Sequence, residues 1–231
     1  MAWASPRSAR GARLLNLISD LDPDVAILTE VTIPFLESTK QNFATSIQDY
    51  GYPHKGERRK VAIVSGKCVT NIDSVGNERL PPGRFISCRS HGLNIVGTCV
   101  PWAHAHVSTG RKDRAPWADH VTYLRTLHTL DLLTSKQLLV GGDLNQRIPR
   151  VRNPELAWET LISTFGHLQC ATSGPLPPEG EKAIDYLFCS TDMDTHAVRT
   201  ISKNYDQIKL SDHVGVVGTL SLRSQQDQPN T

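Results

Sequence analysis

The sequence predicts a single mixed α/β domain, and three observations carry this prediction. Segments with a helical spacing of apolar residues alternate with short apolar runs of strand length. The 231 residues are 39% hydrophobic and 21% charged, so the chain can bury a core, and a disordered chain is excluded. No repeat or linker divides the chain. We therefore expect one domain over residues 1–222, followed by a polar tail over residues 223–231.

The first elements are predicted from residue spacing and from proline. A helix that should end before Pro23 is indicated by apolar residues at helical spacing, namely Leu14, Leu17, Ile18 and Leu21. The next run, DVAIL, is apolar and short, which is typical of a strand buried on both faces, and it ends at Thr29 and Glu30. Pro34 favours the start of a second helix, which we expect to extend toward Ser46.

The remaining elements follow from the same patterns. Three strands without a helix between them, at residues 61–65, 84–88 and 93–100, suggest antiparallel pairing. A helix is predicted over residues 117–133, followed by the buried strand QLLV, which ends in GGDLN. A further helix over residues 154–165 and strands over residues 183–189 and 214–222 complete the prediction.

Composition excludes several classes of protein. No apolar run approaches the roughly 20 residues of a membrane helix, so we expect no membrane span. The net charge of +2 is lower than that of a dedicated DNA-coating protein. The five cysteines form no CxxC pair, which favours scattered thiols in a reducing compartment over a disulfide framework or a zinc site. We therefore expect a cytoplasmic protein.

Four segments place polar side chains at the ends of apolar strands: Glu30, Asp143 with Asn145, Asp185, and Asp212 with His213. A lone acid in such a place is usually only solvated, and this holds for Glu30 or Asp185 taken alone. In GGDLN, two glycines permit a tight turn, and Asp143 and Asn145 alternate and supply hard oxygen ligands suited to Mg²⁺ or Mn²⁺. Asp185 is placed to orient the imidazole of His213.

In this order, the motifs PDVAILTE (residues 23–30), GGDLN (141–145), IDYLF (184–188) and SDHVGVV (211–217) resemble the endonuclease/exonuclease/phosphatase superfamily, which includes DNase I and exonuclease III-like enzymes. The resemblance spans nearly the whole chain. It implies a four-layer α/β/β/α sandwich of two mixed, mainly antiparallel sheets. It also implies a site where the two sheets meet at one end, and a phosphoesterase that uses Mg²⁺ or Mn²⁺.

The resemblance also implies a role for each motif residue. Glu30 and Asp212 would be metal ligands, together with Asp143, which could also serve as the general base. Asn145 would help to hold the attacking water and the phosphate. His213, oriented by Asp185, would contact the phosphate or exchange a proton.

One further position is expected at the end of a central strand, in the segment GTCVPWAHAH. His104 is the candidate for a catalytic residue here, with His106 as the alternative and Trp102 as an aromatic wall. For either histidine, a structural or surface role stays open beside a catalytic one.

The chain departs from the family pattern at its start. The family's first strand normally ends in an Asn, whereas Ala4 and Ser5 follow Trp3 here. Three explanations stay open: the first strand is absent, the reading frame starts too late, or the activity has been lost. If the strand is missing, we expect an extended chain to be more stable and more active.

The substrate is indicated only by basic residues near the motifs: Lys55, Arg58, Arg59 and Lys60, then Arg111, Lys112 and Arg114, and finally Arg147, Arg150 and Arg152. Each cluster alone suits a solvated loop, but three near one site favour a polyanion such as nucleic acid. Trp102 or Trp117 could stack on a base. The alternatives are a phosphatase or phosphodiesterase acting on a small phosphate ester, and a non-catalytic phosphate-binding protein. The oligomeric state is not predicted.

Overall fold

The computed structural model describes residues 1, 3–53, 55–177 and 181–223, with the backbone alone for residues 181 and 182. The elements in chain order are α1 (Ala9–Leu21), β1 (Val25–Thr32), α2 (Ile33–Ser38), β2 (Asn42–Thr45), β3 (Arg58–Ser65), β4 (Thr70–Asp73), β5 (Phe85–Ser90), β6 (Leu93–Cys99), α3 (Ala118–His128), a 3₁₀ turn (Asp131–Thr134), β7 (Leu138–Asp143), α4 (Glu155–Phe165), β8 (Gln169–Cys170), β9 (Pro175–Leu176), β10 (Glu181–Lys182), β11 (Asp185–Cys189), β12 (Met193–Ile201), β13 (Asn204–Tyr205), β14 (Ile208–Lys209) and β15 (Gly215–Leu222). The predicted polar tail lies outside the described residues, except for Arg223.

Three apolar clusters show how these elements stack into layers. One cluster joins α1 and α2 to the outer face of the sheet that contains β3. The second fills the space between that sheet and the sheet that contains β6. The third joins the far face of the second sheet to α3 and α4. Residues of β3 alternate between the first two clusters, with Ala62 and Val64 facing the helices and Val61 and Ile63 facing the other sheet. The predicted α/β/β/α sandwich is confirmed.

The first sheet has the order β1-β3-β2 and is antiparallel. The prediction that the second helix extends toward Ser46 is wrong, because α2 ends at Ser38. Lys40 adopts a left-handed conformation with φ 57°, which turns the chain. Residues 42–45 then pair with β3 as an edge strand.

The second sheet has the order β4-β5-β6-β7-β11-β8 and positions the candidate site. Strands β6 and β7 are parallel, joined through α3, and the other neighbours are antiparallel. The register aligns Cys99 with Asp143, and Asp143 with Asp185. Polar residues that are far apart in sequence therefore meet at one end of this sheet.

Strand β15 pairs with β12 in a separate two-stranded ladder. Within the described residues, β1 pairs with β3 alone and β15 pairs with β12 alone, so each of these strands has one edge without a partner strand. A groove of about 490 Å³ is lined by residues of both strands, with apolar side chains such as Leu14 and Ile18 of α1, and Asp185 and His213 also line it. Near the carboxyl end of β1, the N–H of Trp3 donates to the carbonyl of Glu30 over 2.7 Å.

The structure bears on two predictions from the sequence, which concern membrane spans and the state of the cysteines. Among the described residues, no helix is long and apolar enough to cross a membrane. The five cysteines are all free thiols. Burial raises the pKa of Cys99 to about 12, so this thiol next to the site is not a nucleophile near neutral pH.

Candidate active site

Two glycines bring the end of β7 close to its neighbours. Gly142 has φ 135°, and a Cβ added there would lie 1.9 Å from the carbonyl oxygen of Thr98. A Cβ at Gly141 would lie 2.6 Å from the side chain of Ile27 in the facing sheet. The glycines of GGDLN are therefore needed because the backbone packs tightly on both sides immediately before Asp143.

Asp143 and Asn145 form one hydrogen-bonded unit. The backbone N–H of Asn145 donates to Asp143 Oδ1 over 2.7 Å, and Asn145 Nδ2 donates to Asp143 Oδ2 over 3.2 Å. Asn145 Nδ2 also donates to the carbonyl of Val100 over 2.8 Å. The strand geometry does not continue to Asn145, whose φ is 50°, so the amide bends back onto the carboxylate instead of alternating with it.

The carboxyl of Asp143 is buried, with 8% of the residue exposed. Burial and the nearby charge of Asp185 raise its pKa, with a smaller contribution from Glu30. His213 and the N–H of Asn145 act in the opposite direction. The pairing of Asp143 with Asp185 and the ion pair of Asp185 with His213 bring three of the predicted site residues together.

Asp185 and His213 form an ion pair through Asp185 Oδ2 and His213 Nδ1. Burial opposes the charge of His213, but Asp185, Asp143 and Asp212 together outweigh burial and raise the pKa of the imidazole to about 9. His213 is therefore an imidazolium at neutral pH, with Asp185 fixing its orientation. On its other side, His213 Nε2 lies 3.5 Å from Oδ1 of the more exposed Asp212.

Glu30 lies at the opposite side of the cluster, in contact with Lys60. Glu30 Oε1 and Lys60 Nζ are 2.6 Å apart, and the side chain of Lys60 is only 14% exposed. Glu30 has φ 53° and interrupts the ladder between β1 and β3 opposite Lys60. Lys60 also lies 5.2 Å from the ring centre of Trp3. The sequence placed Lys60 in a loop cluster, whereas the structure places it at the end of the site.

The two histidines predicted near the phosphate have different surroundings. His106 is buried, its Nδ1 accepts from the N–H of Arg111 over 3.1 Å, and its ring stacks on Tyr52 with centroids 4.4 Å apart. Burial and Arg111 lower its pKa. The hydrogen bond and the ring stacking of His106 therefore stabilise the loop that contains it. His104 is exposed and stacks on Trp102 at 5.4 Å.

A third histidine, His120 on α3, was missed by the sequence reasoning. Its ring is fully buried, with Nδ1 2.7 Å from the carbonyl of Pro101 and Nε2 2.5 Å from Gln146 Nε2. A carbonyl only accepts, so Nδ1 carries the proton and Nε2 accepts from Gln146. Burial lowers the pKa of His120 to about 4, which keeps it neutral. The sequence did offer one indication that His120 is buried. The residue lies between Asp119 and Val121, on the apolar face of a predicted helix.

The donor set of the site bears on whether a divalent cation fits there. Carboxylates are ligands that Mg²⁺ prefers, and burial together with the nearby charge of Asp185 raises the pKa of Asp143, so a cation there would stabilise its charged form. Among the described residues, no group of three or more acidic, histidine or cysteine side chains is arranged so that it could hold a metal ion. Glu30 pairs with Lys60 and Asp185 with His213. The donor chemistry therefore fits a cation, and two of the carboxylates are each paired with a basic side chain.

Comparisons with known proteins identify the family of the chain and agree with its fold. A family model described as Endonuclease/Exonuclease/phosphatase family matches residues 2–213. The fold is similar to a 3′ phosphatase, NExo, from Neisseria bound to product DNA hairpin, with 15% identity, 94% of this chain and 96% of that chain covered, and a TM-score of 0.72. An AP endonuclease from Archaeoglobus fulgidus shows 14% identity, coverage of 94% and 96%, and a TM-score of 0.71. No curated protein matches the chain.

Proposed function

Because the chain belongs to the endonuclease/exonuclease/phosphatase family, we propose that it is a divalent-metal-dependent phosphoesterase that hydrolyses phosphodiester bonds in nucleic acid. The observation that carries this proposal is the register of β7 and β11, which sets Asp143 beside Asp185 and its partner His213. A buried carboxylate and an imidazolium thus share one end of the sheet. This pairing suits general acid–base chemistry on a phosphate ester.

Asp143 is proposed as the general base. Its raised pKa brings the carboxylate closer to the basicity needed to accept a proton from an attacking water near neutral pH. The N–H of Asn145 holds Oδ1 of the carboxylate in place. The side-chain amide of Asn145 is anchored to the carbonyl of Val100, so the base has a fixed position at the end of the strand.

His213 is proposed as the phosphate contact and proton donor. At neutral pH it is an imidazolium, because Asp185 stabilises the charge. A fixed cation beside the phosphoryl oxygens stabilises the charge that accumulates on them in the transition state. Asp185 is a positioning residue that acts through His213.

A divalent cation, Mg²⁺ or Mn²⁺, would be held by Glu30 and Asp212 together with Asp143, and when bound it supplies stabilisation of charge on the phosphoryl, attacking and leaving oxygens. Glu30 pairs with Lys60 through Oε1, so its second carboxylate oxygen would face the cation while the ion pair is kept. The ammonium group of Lys60 would then lie at the same end of the site, where it would pair with a phosphate oxygen.

Nucleic acid is proposed as the substrate class because exposed cations lie in the segments that follow β6 and β7, next in sequence to the site residues. Arg147 follows Asn145 by two residues, and Arg111 and Lys112 lie in the loop that contains His104. Such side chains bind backbone phosphates without reading sequence. The structural neighbours named for 3′ phosphatase and AP endonuclease activity support this choice. The five free thiols favour a reducing compartment, the cytoplasm.

The proposal is tested with bis(p-nitrophenyl) phosphate, plasmid DNA and single-stranded DNA, each in EDTA and with added Mg²⁺ or Mn²⁺. We expect metal-stimulated cleavage of all three. Metal-stimulated hydrolysis of bis(p-nitrophenyl) phosphate without cleavage of either DNA would instead indicate a phosphodiesterase for small esters. No turnover of any substrate would leave a non-catalytic phosphate-binding protein.

A further inference from the structure

Trp102 presents an aromatic ring to solvent directly beside the candidate site. It follows β6 by three residues, and 43% of the residue is exposed. Its ring stacks on the exposed His104, with ring centroids 5.4 Å apart and an angle of 30° between the planes. A single exposed apolar residue is common on protein surfaces. The position of Trp102, and the hydrogen bonds that fix its backbone, nevertheless indicate a functional role for this residue.

The backbone before Trp102 is tied to the catalytic residues. The N–H of Val100 donates to the carbonyl of Asp143 over 2.9 Å, and the carbonyl of Val100 accepts from Asn145 Nδ2 over 2.8 Å. The next carbonyl, that of Pro101, accepts from the buried His120 over 2.7 Å. Trp102 therefore has a fixed position relative to Asp143, within about 8 Å of Val100 along the chain.

The backbone after Trp102 is fixed as well. The N–H of Ala105 donates to the carbonyl of Trp102 over 3.0 Å, and the N–H of Trp117 donates to the carbonyl of Ala103 over 2.7 Å. Trp117, the other tryptophan of this loop, packs edge-on against His120 at 4.9 Å and serves the core. Of the two tryptophans that could stack on a base, Trp102 is thus the one whose ring is presented outward.

We propose that Trp102, backed by His104, is a stacking platform for an unpaired nucleobase next to the phosphate that is cleaved. This inference rests on the proposed function and specifies its substrate. Stacking on an aromatic ring is tolerant of base identity, because every base has a π face. Bases inside a duplex are covered on both faces by their neighbours. The platform therefore selects single-stranded, frayed or terminal nucleotides over the interior of a duplex.

The charges of the same loop suit such a substrate. Arg111, Lys112 and Arg114 are exposed in this loop. Arg111 Nε lies 3.2 Å from Asp113 and Arg114 Nε lies 3.1 Å from Asp119, so these two charges are partly neutralised. Cations bind the backbone phosphates of flanking nucleotides and the ring binds a base. This combination of a charged surface and a stacking ring is typical of single-strand binding sites.

The test is a binding measurement in EDTA, which does not depend on turnover. A short fluorescein-labelled oligothymidylate is titrated with wild type, Trp102→Ala and Trp102→Phe, and the change in anisotropy is followed. Leu156→Ala, at an exposed position of α4, is the matched control for loss of a surface side chain. A relaxed, covalently closed duplex circle is added as an unlabelled competitor, because it offers phosphates without unpaired bases.

We expect the Kd for the oligonucleotide to rise about tenfold in Trp102→Ala, the effect of losing one base stack, and to stay near the wild-type value in Trp102→Phe and Leu156→Ala. Competition by the duplex circle should be unchanged. An unchanged Kd in Trp102→Ala, or an equal loss of affinity for both DNAs, would overturn the platform.

Turnover of bis(p-nitrophenyl) phosphate by the wild type separates this inference from the proposed function, because that substrate has no nucleobase. If the wild type hydrolyses neither this diester nor DNA while oligonucleotide binding depends on Trp102, the proposed function fails and the platform stands. If the wild type hydrolyses it and oligonucleotide binding ignores Trp102, the platform fails and the proposed function stands.

Discussion

His120 should make the folded protein sensitive to acid, by an amount that follows from its environment. The ring is 0% exposed, and burial lowers its pKa from 6.5 to about 4. The unfolded chain therefore binds a proton at a pH where the folded chain does not. The stabilisation is present above pH 6.5 and is lost as the pH falls toward the folded value of about 4.

The size of this effect is calculated from the two pKa values. A shift of one pKa unit corresponds to about 1.4 kcal/mol, so the full shift is worth about 3 kcal/mol. Between about pH 7 and about pH 4.5, His120 alone should lower the free energy of unfolding by about 2 kcal/mol. Protonation would also oblige Nε2 to stop accepting from Gln146, whereas Nδ1 would still donate to the carbonyl of Pro101.

The assay is urea unfolding at both pH values for the wild type and His120→Gln. The free energy of unfolding should fall with acid by about 2 kcal/mol less in His120→Gln, because other titrating groups are common to both proteins and cancel in the difference. His128→Gln, at an exposed position of the same helix, should keep the wild-type pH dependence. The same acid dependence in wild type and His120→Gln would refute the reasoning.

Three further predictions concern the site and the core. Asp185→Asn should lower the pKa of His213 from about 9, move the alkaline limb of the pH–rate profile to lower pH, and slow turnover on the order of 10²-fold; an unmoved limb would contradict the role of Asp185. Gly142→Ala should lower the free energy of unfolding, measured in urea, by about 3 kcal/mol or more, because the new Cβ meets the carbonyl oxygen of Thr98. The control Gly92→Ala has open space around the new Cβ and should lose only about 1 kcal/mol. Equal losses in the two variants would contradict the packing argument. Phe165→Ala should cost about 3–5 kcal/mol in the same assay, because Phe165 is buried and stacks on Phe188; a loss below about 1 kcal/mol would contradict its place in the core.

The sequence was sufficient to predict the layered fold and the segments that carry polar residues. Short motifs such as GGDLN combine glycines, which a tightly packed backbone requires, with side chains that carry functional groups. Both features can be recognised in the sequence. The overextension of the second helix has a local cause, because Pro34 and the residues after it do not show that residues 42–45 find a partner in β3. Pairing with a distant strand decided the conformation there.

The contacts within the site could not be predicted, because they depend on strand register. Asp143 and Asp185 are adjacent because β7 pairs with β11, and Glu30 faces Lys60 because β1 pairs with β3. A shift of one residue in either ladder would turn these side chains to the other face of the sheet. The role of His120 also depends on a distant segment, because the carbonyl that its ring contacts lies in the loop after β6. Long-range pairing of this kind is not visible in local sequence.

The measurement that tests the central proposal most directly is the Mg²⁺-stimulated rate of bis(p-nitrophenyl) phosphate hydrolysis by the wild type, Asp143→Asn and Asp113→Asn. Asp143→Asn removes the proposed base while keeping the side-chain shape, and Asp113→Asn removes an exposed carboxylate from the loop that contains His104. We predict metal-stimulated turnover that falls by about 10²-fold or more in Asp143→Asn and persists in Asp113→Asn. Equal rates in wild type and Asp143→Asn, or no stimulation by metal, would contradict the account.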